Sequence, residues 1–378
     1  MALPPITRVD DRLPNELFSA IIRELRGDLS SLFHVASACK LLKSEAEPLL
    51  YNSLRYTTTQ ESSSARMRCN MIHHVGPPPQ SYIDNPSLAK YLQSISYFES
   101  PGAPPSEDMR MILSAAYSNL LPRLKSMEVA LHVGVPHGFL THGRFQLEVL
   151  RLEGSTLPAN LFQILKRQKT LKSLRIVPRG SQISAIPHST IAKLETFEGP
   201  FHVFEGVLPA RKVQSLVWEP SASYEDGRNI SLEHLSKQMD ALTTLSYPIS
   251  KNLPPLKAIV PYLRNLQYLV ISDAWASFAR GAYNEGDVIE TLPNILVEVP
   301  VLRGLILTSN HYPSRKVPES IISNIFKKSP TLQFVDVQYT SVILRFVRWI
   351  RGQDKCKIAE THPQYRRLPE DIVKNLPY

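Results

Sequence analysis

One recurring pattern constrains this chain more than any other feature. From Leu124 onward a short unit returns: an apolar residue, two others, an apolar residue, one other, and often a third apolar residue. It reads LKSMEV at 124, LEVLRL at 147, LKSLRI at 171, LETFEG at 194, VQSLVW at 213, LTTLSY at 242, LQYLVI at 266, LRGLIL at 302 and LQFVDV at 332. Successive starts lie 23, 24, 23, 19, 29, 24, 36 and 30 residues apart. In LEVLRL, Leu150 and Leu152 are two apart and share one side of an extended segment, while Val149 and Arg151 share the other. A lone strand of this kind cannot bury its apolar side. Stacked units can, with a parallel sheet along one wall and return segments along the other. The segments LPANLFQILKRQ, NLPPLKAIVPYL and VPESIISNIFKKS carry the apolar spacing of helices and supply those returns.

The unit resembles the short consensus of leucine-rich repeats, whose period is about 20–29 residues. That resemblance implies an α/β architecture over 121–350, an irregular solenoid with a curved parallel sheet. A regular repeat has Asn or Cys just after the strand; His132, Ser155 and Arg179 stand near that place here, which predicts irregular turns. The long interval between 266 and 302 predicts an insertion, with ARGAYNEGD as an exposed loop, and residues 351–378 read as a cap or tail.

Residues 13–56 follow a different rule. Pro14 suits a first helical turn, and Leu17, Ile21 and Leu25 recur every fourth residue along one stripe. Gly27 ends that helix and Asp28 caps the next, whose apolar face is Leu29, Leu32, Phe33, Val35 and Ala36. A third helix runs from about Lys40 to Tyr51, with Pro48 as a source of distortion. Three short helices make a thin core, so such a module needs a neighbour or a partner. The segment resembles the F-box, the module that docks onto the Skp1 subunit of SCF ubiquitin ligases. The matching residues are the opening LPNEL, Ile21, Leu25, the Asp28-Leu29 pair, Leu32, Val35 and Ala38-Cys39-Lys40. Leu42 stands where many members carry Trp, and Tyr51 near another such position. What the resemblance implies is a Skp1-like partner held by Leu13, Pro14, Leu17, Ile21, Leu25, Leu29, Leu32, Val35 and Cys39.

Between the two regions, residues 57–120 read as an adapter and linker, with room for a first degenerate repeat. TTTQESSSARMRCN lacks periodicity, VGPPPQ and SPGAPPSED are turn-rich, and LAKYLQSISYFES suits either a helix or a strand. The stretches near 60–70 and 280–287 offer no periodic apolar anchor and are expected to move more than the repeated strands.

Chemistry is conspicuous by what the sequence lacks. It has no GxGxxG, no Walker lysine loop, no GxSxG elbow and no HExxH, so neither an enzyme nor a bound cofactor or metal is expected. Cys39, Cys69 and Cys356 are far apart and encode no disulfide framework or zinc site, which suits a reducing compartment. Cys39 falls within an apolar pattern and reads as a small hydrophobe rather than a nucleophile. His73 and His74 are adjacent, and His132, His137 and His142 are spaced by five; neither set makes a ligand face. No apolar stretch spans a membrane, and MALPPITRVDD lacks the form of a secretory signal, so an intracellular location is expected, cytoplasmic or nuclear. The net charge of +9 is thinly spread, with seven basic and seven acidic residues in 1–60, and nucleic acid is not the expected partner.

The expected function is therefore substrate recognition within an SCF-type ubiquitin ligase: a Skp1-like adaptor, and through it a cullin, at the helices, and a protein target on the repeats. The competing reading is a non-catalytic solenoid scaffold that does not bind Skp1. Strand alternation places the target on the side opposite the apolar pairs. There Arg151 and Arg175, one repeat apart, are expected to meet an acidic or phosphorylated group, and Tyr268, Ile306 and Phe334 an apolar one. The competing expectation is that SVILRFVRWI covers Ile306 and Phe334.

Overall fold

The structure, a computed structural model, describes residues 15–26, 28–57, 85–98, 123–131, 145–154, 161–178, 190–220, 230–250, 253–272, 286–308, 319–340, 345–353 and 357–360. It is an α/β fold in which N-terminal helices precede a mostly parallel multi-stranded sheet. The chain forms two compact units, Met1–Leu147 and Glu148–Tyr378.

In the first unit, α1 (Asn15–Glu24), α2 (Leu29–Ala38) and α3 (Lys40–Leu50) are followed by β1 (Ser53–Thr57), β2 (Ser94–Phe98) and β3 (Ser126–Leu131). Asp28 caps α2 as its sequence position predicts: the Ser31 amide donates to its carboxylate at 3.0 Å and the Ser31 hydroxyl at 2.6 Å. Those bonds hold the Asp28 carboxyl below its ordinary range. Pro48 sits inside α3, yet the helix continues to Leu50. The helical core is small, with Ile22, Leu32, Ala46 and Leu50 buried and Leu25, Leu29, Val35, Ala36, Leu42, Leu49 and Tyr51 packed around them.

β1, β2 and β3 pair in parallel in chain order. β1 begins at Ser53, inside the segment read as the helical module, and β2 falls in the segment read as adapter and linker with room for a first degenerate repeat. The ambiguous LAKYLQSISYFES resolves into a 3-10 helix, Pro86–Tyr91, and then β2, whose Ile95 and Tyr97 are buried by simple alternation.

The second unit alternates strands and returns. Its strands are β4 (Val149–Gly154), β5 (Ser173–Pro178), β6 (Thr196–Gly199), β7 (Ser215–Trp218), β8 (Thr244–Pro248), β9 (Tyr268–Ser272), β10 (Gly304–Leu307) and β11 (Phe334–Thr340). Each pairs in parallel with the next. The returns include α4 (Leu161–Arg167), α5 (Phe201–Val207), α6 (Ser236–Asp240), α7 (Leu256–Ile259), α8 (Gly286–Leu296) and α9 (Glu319–Lys328). The three segments with helical spacing thus contain α4, α7 and α9. α8 starts at Gly286, so the end of the expected ARGAYNEGD loop is helical; its earlier residues lie outside the described ones.

The repeated unit and the core coincide. Its first and second apolar positions are buried in every repeat, from Leu124 and Met127 through Leu147 and Leu150 to Leu332 and Val335. The third position is Gly199 in LETFEG, and a Cβ there would lie 2.5 Å from the Ile176 carbonyl oxygen. Register is fixed by one recurring device. The carbonyl just after the first apolar residue accepts two successive amides of the next repeat, as Glu148 does from Lys172 and Ser173 at 2.9 and 3.0 Å, and Gln214 from Thr243 and Thr244 at 2.8 and 3.0 Å.

The parallel order ends at β11. β12 (Arg345–Ile350) returns antiparallel to it, and β13 (Lys357–Glu360), in the segment read as a cap or tail, pairs antiparallel to β12.

Candidate functional site

The helical module keeps apolar side chains outside its core. Leu17 is 47% exposed, Ile21 54%, Phe33 62% and Leu41 45%. The first two stand four apart on α1 and so share a face. Ile22, one position on, turns inward and is buried. Among the other residues expected to meet the partner, Leu25, Leu29 and Val35 are half-buried against the core, and Leu13 and Pro14 lie outside the described residues. Two expectations need correction. Leu32 is buried at 1% exposure, because it closes the small core between α2 and α3 and is not available to a partner. Phe33, read as part of the same apolar face, follows Leu32 by one residue, about 100° around the helix, and is exposed. Cys39 is an exposed free thiol at the junction of α2 and α3, not a buried hydrophobe.

On the repeats, strand register brings side chains into rows on the face opposite the apolar pairs. Arg151, Arg175 and Glu198 are neighbours in one such row. Arg175 is the centre of a cluster: Nη2 lies 3.4 Å from Glu153, Nε 3.1 Å from Glu198, and Nη2 3.9 Å from Glu219. Arg151 is engaged as well. The expectation that Arg175 awaits a partner's anion is thus corrected, because three carboxyl groups of its own chain already surround it. The Glu219 carboxyl is pushed up to about 7, first by burial and then by the neighbouring Glu198 charge, against the pull of Arg175. Sequence alternation assigns Glu153 and Glu198 to this face. Glu219 follows VQSLVW as Glu153 follows LEVLRL, so the same alternation carried one residue past the end of β7 reaches it.

The expected apolar half of the face is closed. Ile306 is 1% exposed and Phe334 8%, so neither offers an apolar surface to a target. The competing expectation is the better one for Phe334: β12, cut from SVILRFVRWI, pairs with β11, and the Arg348 guanidinium lies 4.2 Å over the Phe334 ring. Arg348 also donates to the buried Asp336 from Nε at 2.7 Å and from Nη2 at 2.5 Å. Burial pushes the Asp336 carboxyl up, against the pull of that pair. Ile306 is flanked in register by Val270 and Asp336. Tyr268 remains half-buried, with Gly304 between it and Phe334: a Cβ at that glycine would meet the Phe334 ring at 2.5 Å and the Tyr268 ring at 2.9 Å.

Among the described residues no group of His, Cys, Asp and Glu is arranged to hold a metal ion, and no helix is long and apolar enough to cross a membrane. His73, His74, His132, His137, His142, Cys69 and Cys356 lie outside the described residues, as do the stretch near 60–70 and most of 280–287. No protein-family model matches the chain, and no curated protein is significantly similar to it.

Proposed function

We propose that this chain is a substrate-recognition adaptor of an SCF-type ubiquitin ligase. Its three N-terminal helices form an F-box-like module for a Skp1-like adaptor, and an irregular leucine-rich-repeat solenoid carries the protein target. The observation that supports this reading best is the set of exposed large side chains Leu17, Ile21, Phe33 and Leu41, found on all three helices of the segment that resembles the F-box. Full burial of such a side chain is worth about 1.5–3 kcal/mol, so burying the exposed part of four is a substantial drive for association. The chain's own contribution to ubiquitin transfer is proximity and orientation of the target, with bond chemistry left to an enzyme recruited by the cullin. Such an adaptor is intracellular, in cytoplasm or nucleus.

The target face is the β4–β6 part of the sheet, where Arg151, Glu153, Arg175 and Glu198 stand opposite the core. The test is copurification of the full chain with a Skp1-like adaptor and cullin, beside the double variant Leu17→Glu/Ile21→Glu. Capture by wild type and loss in the variant, with unchanged thermal unfolding, is the expected result. No capture of wild type favours the scaffold reading, in which the same module serves another partner.

A further inference from the structure

Basic residues that are dispersed along the sequence are gathered by the fold of the second unit. Strands β4–β8 run parallel, so the turns that enter them lie side by side along one edge of the sheet. The turns entering β5, β6 and β7 bring together Lys166, Arg167, Lys169, Lys172, Lys193 and Lys212, all exposed. Backbone hydrogen bonds fix the stack: the Lys172 carbonyl accepts the Glu195 amide at 2.8 Å, and the Glu195 carbonyl accepts the Gln214 amide at 2.8 Å. Adjacent strands lie about 4.8 Å apart, so the three turns span about 10 Å, close to the screening length of about 8 Å at physiological salt. Like charges there repel one another.

Opposing charge is scarce at this edge. Glu195 is the one acidic residue within 166–172, 191–195 and 208–214. Of the acids in the flanking turns, Glu148 already faces Lys172 at 3.7 Å, and Asp240 lies before β8. Arg167 and Lys169 have contacts within the chain, whereas Lys166, Lys193 and Lys212 have no acidic side chain against them among the described residues. Arg211 is buried and spent on the Thr190 and Val207 carbonyls. Lys166 and Arg167 also suit the end of α4, where terminal carbonyls favour positive charge, but Lys193 and Lys212 stand in no helix. The contrast with Arg175 is direct, since the chain supplies that guanidinium with three carboxyl groups.

From this arrangement we infer that the sheet edge entering β5–β7 docks an acidic segment of a protein partner. Carboxylates laid across the three turns would relieve the repulsion and supply the missing countercharge. The same residues suit a nucleic acid poorly. The three turns carry no aromatic side chain on which a base could stack, and Glu148 and Glu195 interrupt the row that a continuous phosphate backbone would follow. The inference needs only the folded second unit and stands whether or not the helices hold a Skp1-like adaptor.

The test uses the full chain without adaptor and a fluorescein-labelled oligoglutamate peptide, read by fluorescence anisotropy. The peptide should bind and weaken as salt rises. The variant Lys166→Glu/Lys193→Glu/Lys212→Glu should bind at least about tenfold more weakly with an unchanged Tm. The matched variant Lys257→Glu/Lys327→Glu/Lys328→Glu, which reverses three exposed lysines on α7 and α9, should stay within about threefold of wild type. Lysine acetylation of the wild type, mapped by mass spectrometry, reads the same surface without a variant: the peptide should protect Lys166, Lys193 and Lys212 and leave Lys257, Lys327 and Lys328 open. No binding, equal weakening in the two variants, protection elsewhere, or tighter binding of a single-stranded DNA of equal charge would each overturn the inference.

Discussion

The helical module and the repeats use leucine and isoleucine in opposite ways. In the module four buried residues make the core while Leu17, Ile21, Phe33 and Leu41 stay exposed. In the repeats each unit buries its apolar positions against the next, with Leu171, Leu174 and Ile176 all at 0% exposure. The difference follows from what each region can reach. Three helices of 10, 10 and 11 residues offer little interior, so a second apolar stripe has nowhere to go. A stacked strand always has a neighbour on which to close. Apolar residues are therefore stability in the repeats and available surface in the module.

Substitutions separate the two uses. The largest effect is expected for Leu245→Ala, at 0% exposure in the middle of the second unit. It should cost about 2–5 kcal/mol, because the cavity is walled by neighbouring repeats that cannot collapse into it. Chemical denaturation reads this as a lower midpoint with little change in slope. A cost near zero would mean that the core is not continuous at β8.

Overfilling comes next. Gly304→Ala forces a Cβ against the Phe334 and Tyr268 rings, and overpacking of this kind costs about 1–3 kcal/mol. Pairing it with Phe334→Leu should recover part of that loss, which a double-mutant cycle measures. Additive losses would show that the rings do not meet over this glycine.

Arg211 tests a smaller, polar support. Its Nε and Nη2 donate to the Thr190 carbonyl at 3.0 and 2.9 Å, and Nη1 donates to the Val207 carbonyl. Burial lowers the guanidinium pKa from its ordinary value. Arg211→Met leaves those carbonyls without their donor and should cost about 1–3 kcal/mol, read as a lower Tm. The smallest stability effect belongs to the module: Leu17→Ala and Ile21→Ala should each change stability by no more than about 0.5 kcal/mol while weakening adaptor capture.

The extent to which the chain can be read from its sequence follows the same division. The repeats are legible because a fixed period places each apolar pair in register, and Leu150, Leu174, Leu216, Leu245 and Leu269 are all buried as alternation requires. β2 is less so, because SISYF has the alternation without the leucine signature. β12 reads as an apolar stretch, and its antiparallel return depends on pairing with β11 that no local period encodes. In the module, 3.6-residue spacing locates the helices but leaves Leu17 and Leu32 equivalent; only packing distinguishes the exposed one from the buried one. At the Arg175 cluster, alternation assigns Arg151, Glu153, Arg175 and Glu198 to one face. The neutralisation of Arg175 depends also on Glu219, which holds the repeat position of Glu153 but lies one residue beyond the end of β7.

Hydrogen exchange of the full chain, with and without a purified Skp1-like adaptor, tests the central claim most directly. The account predicts added protection in α1, α2 and α3 and unchanged exchange in β4–β11, whose amides are already held by their neighbours. Protection that appears in the strands and not in the helices, or no change anywhere at saturating adaptor, would contradict it.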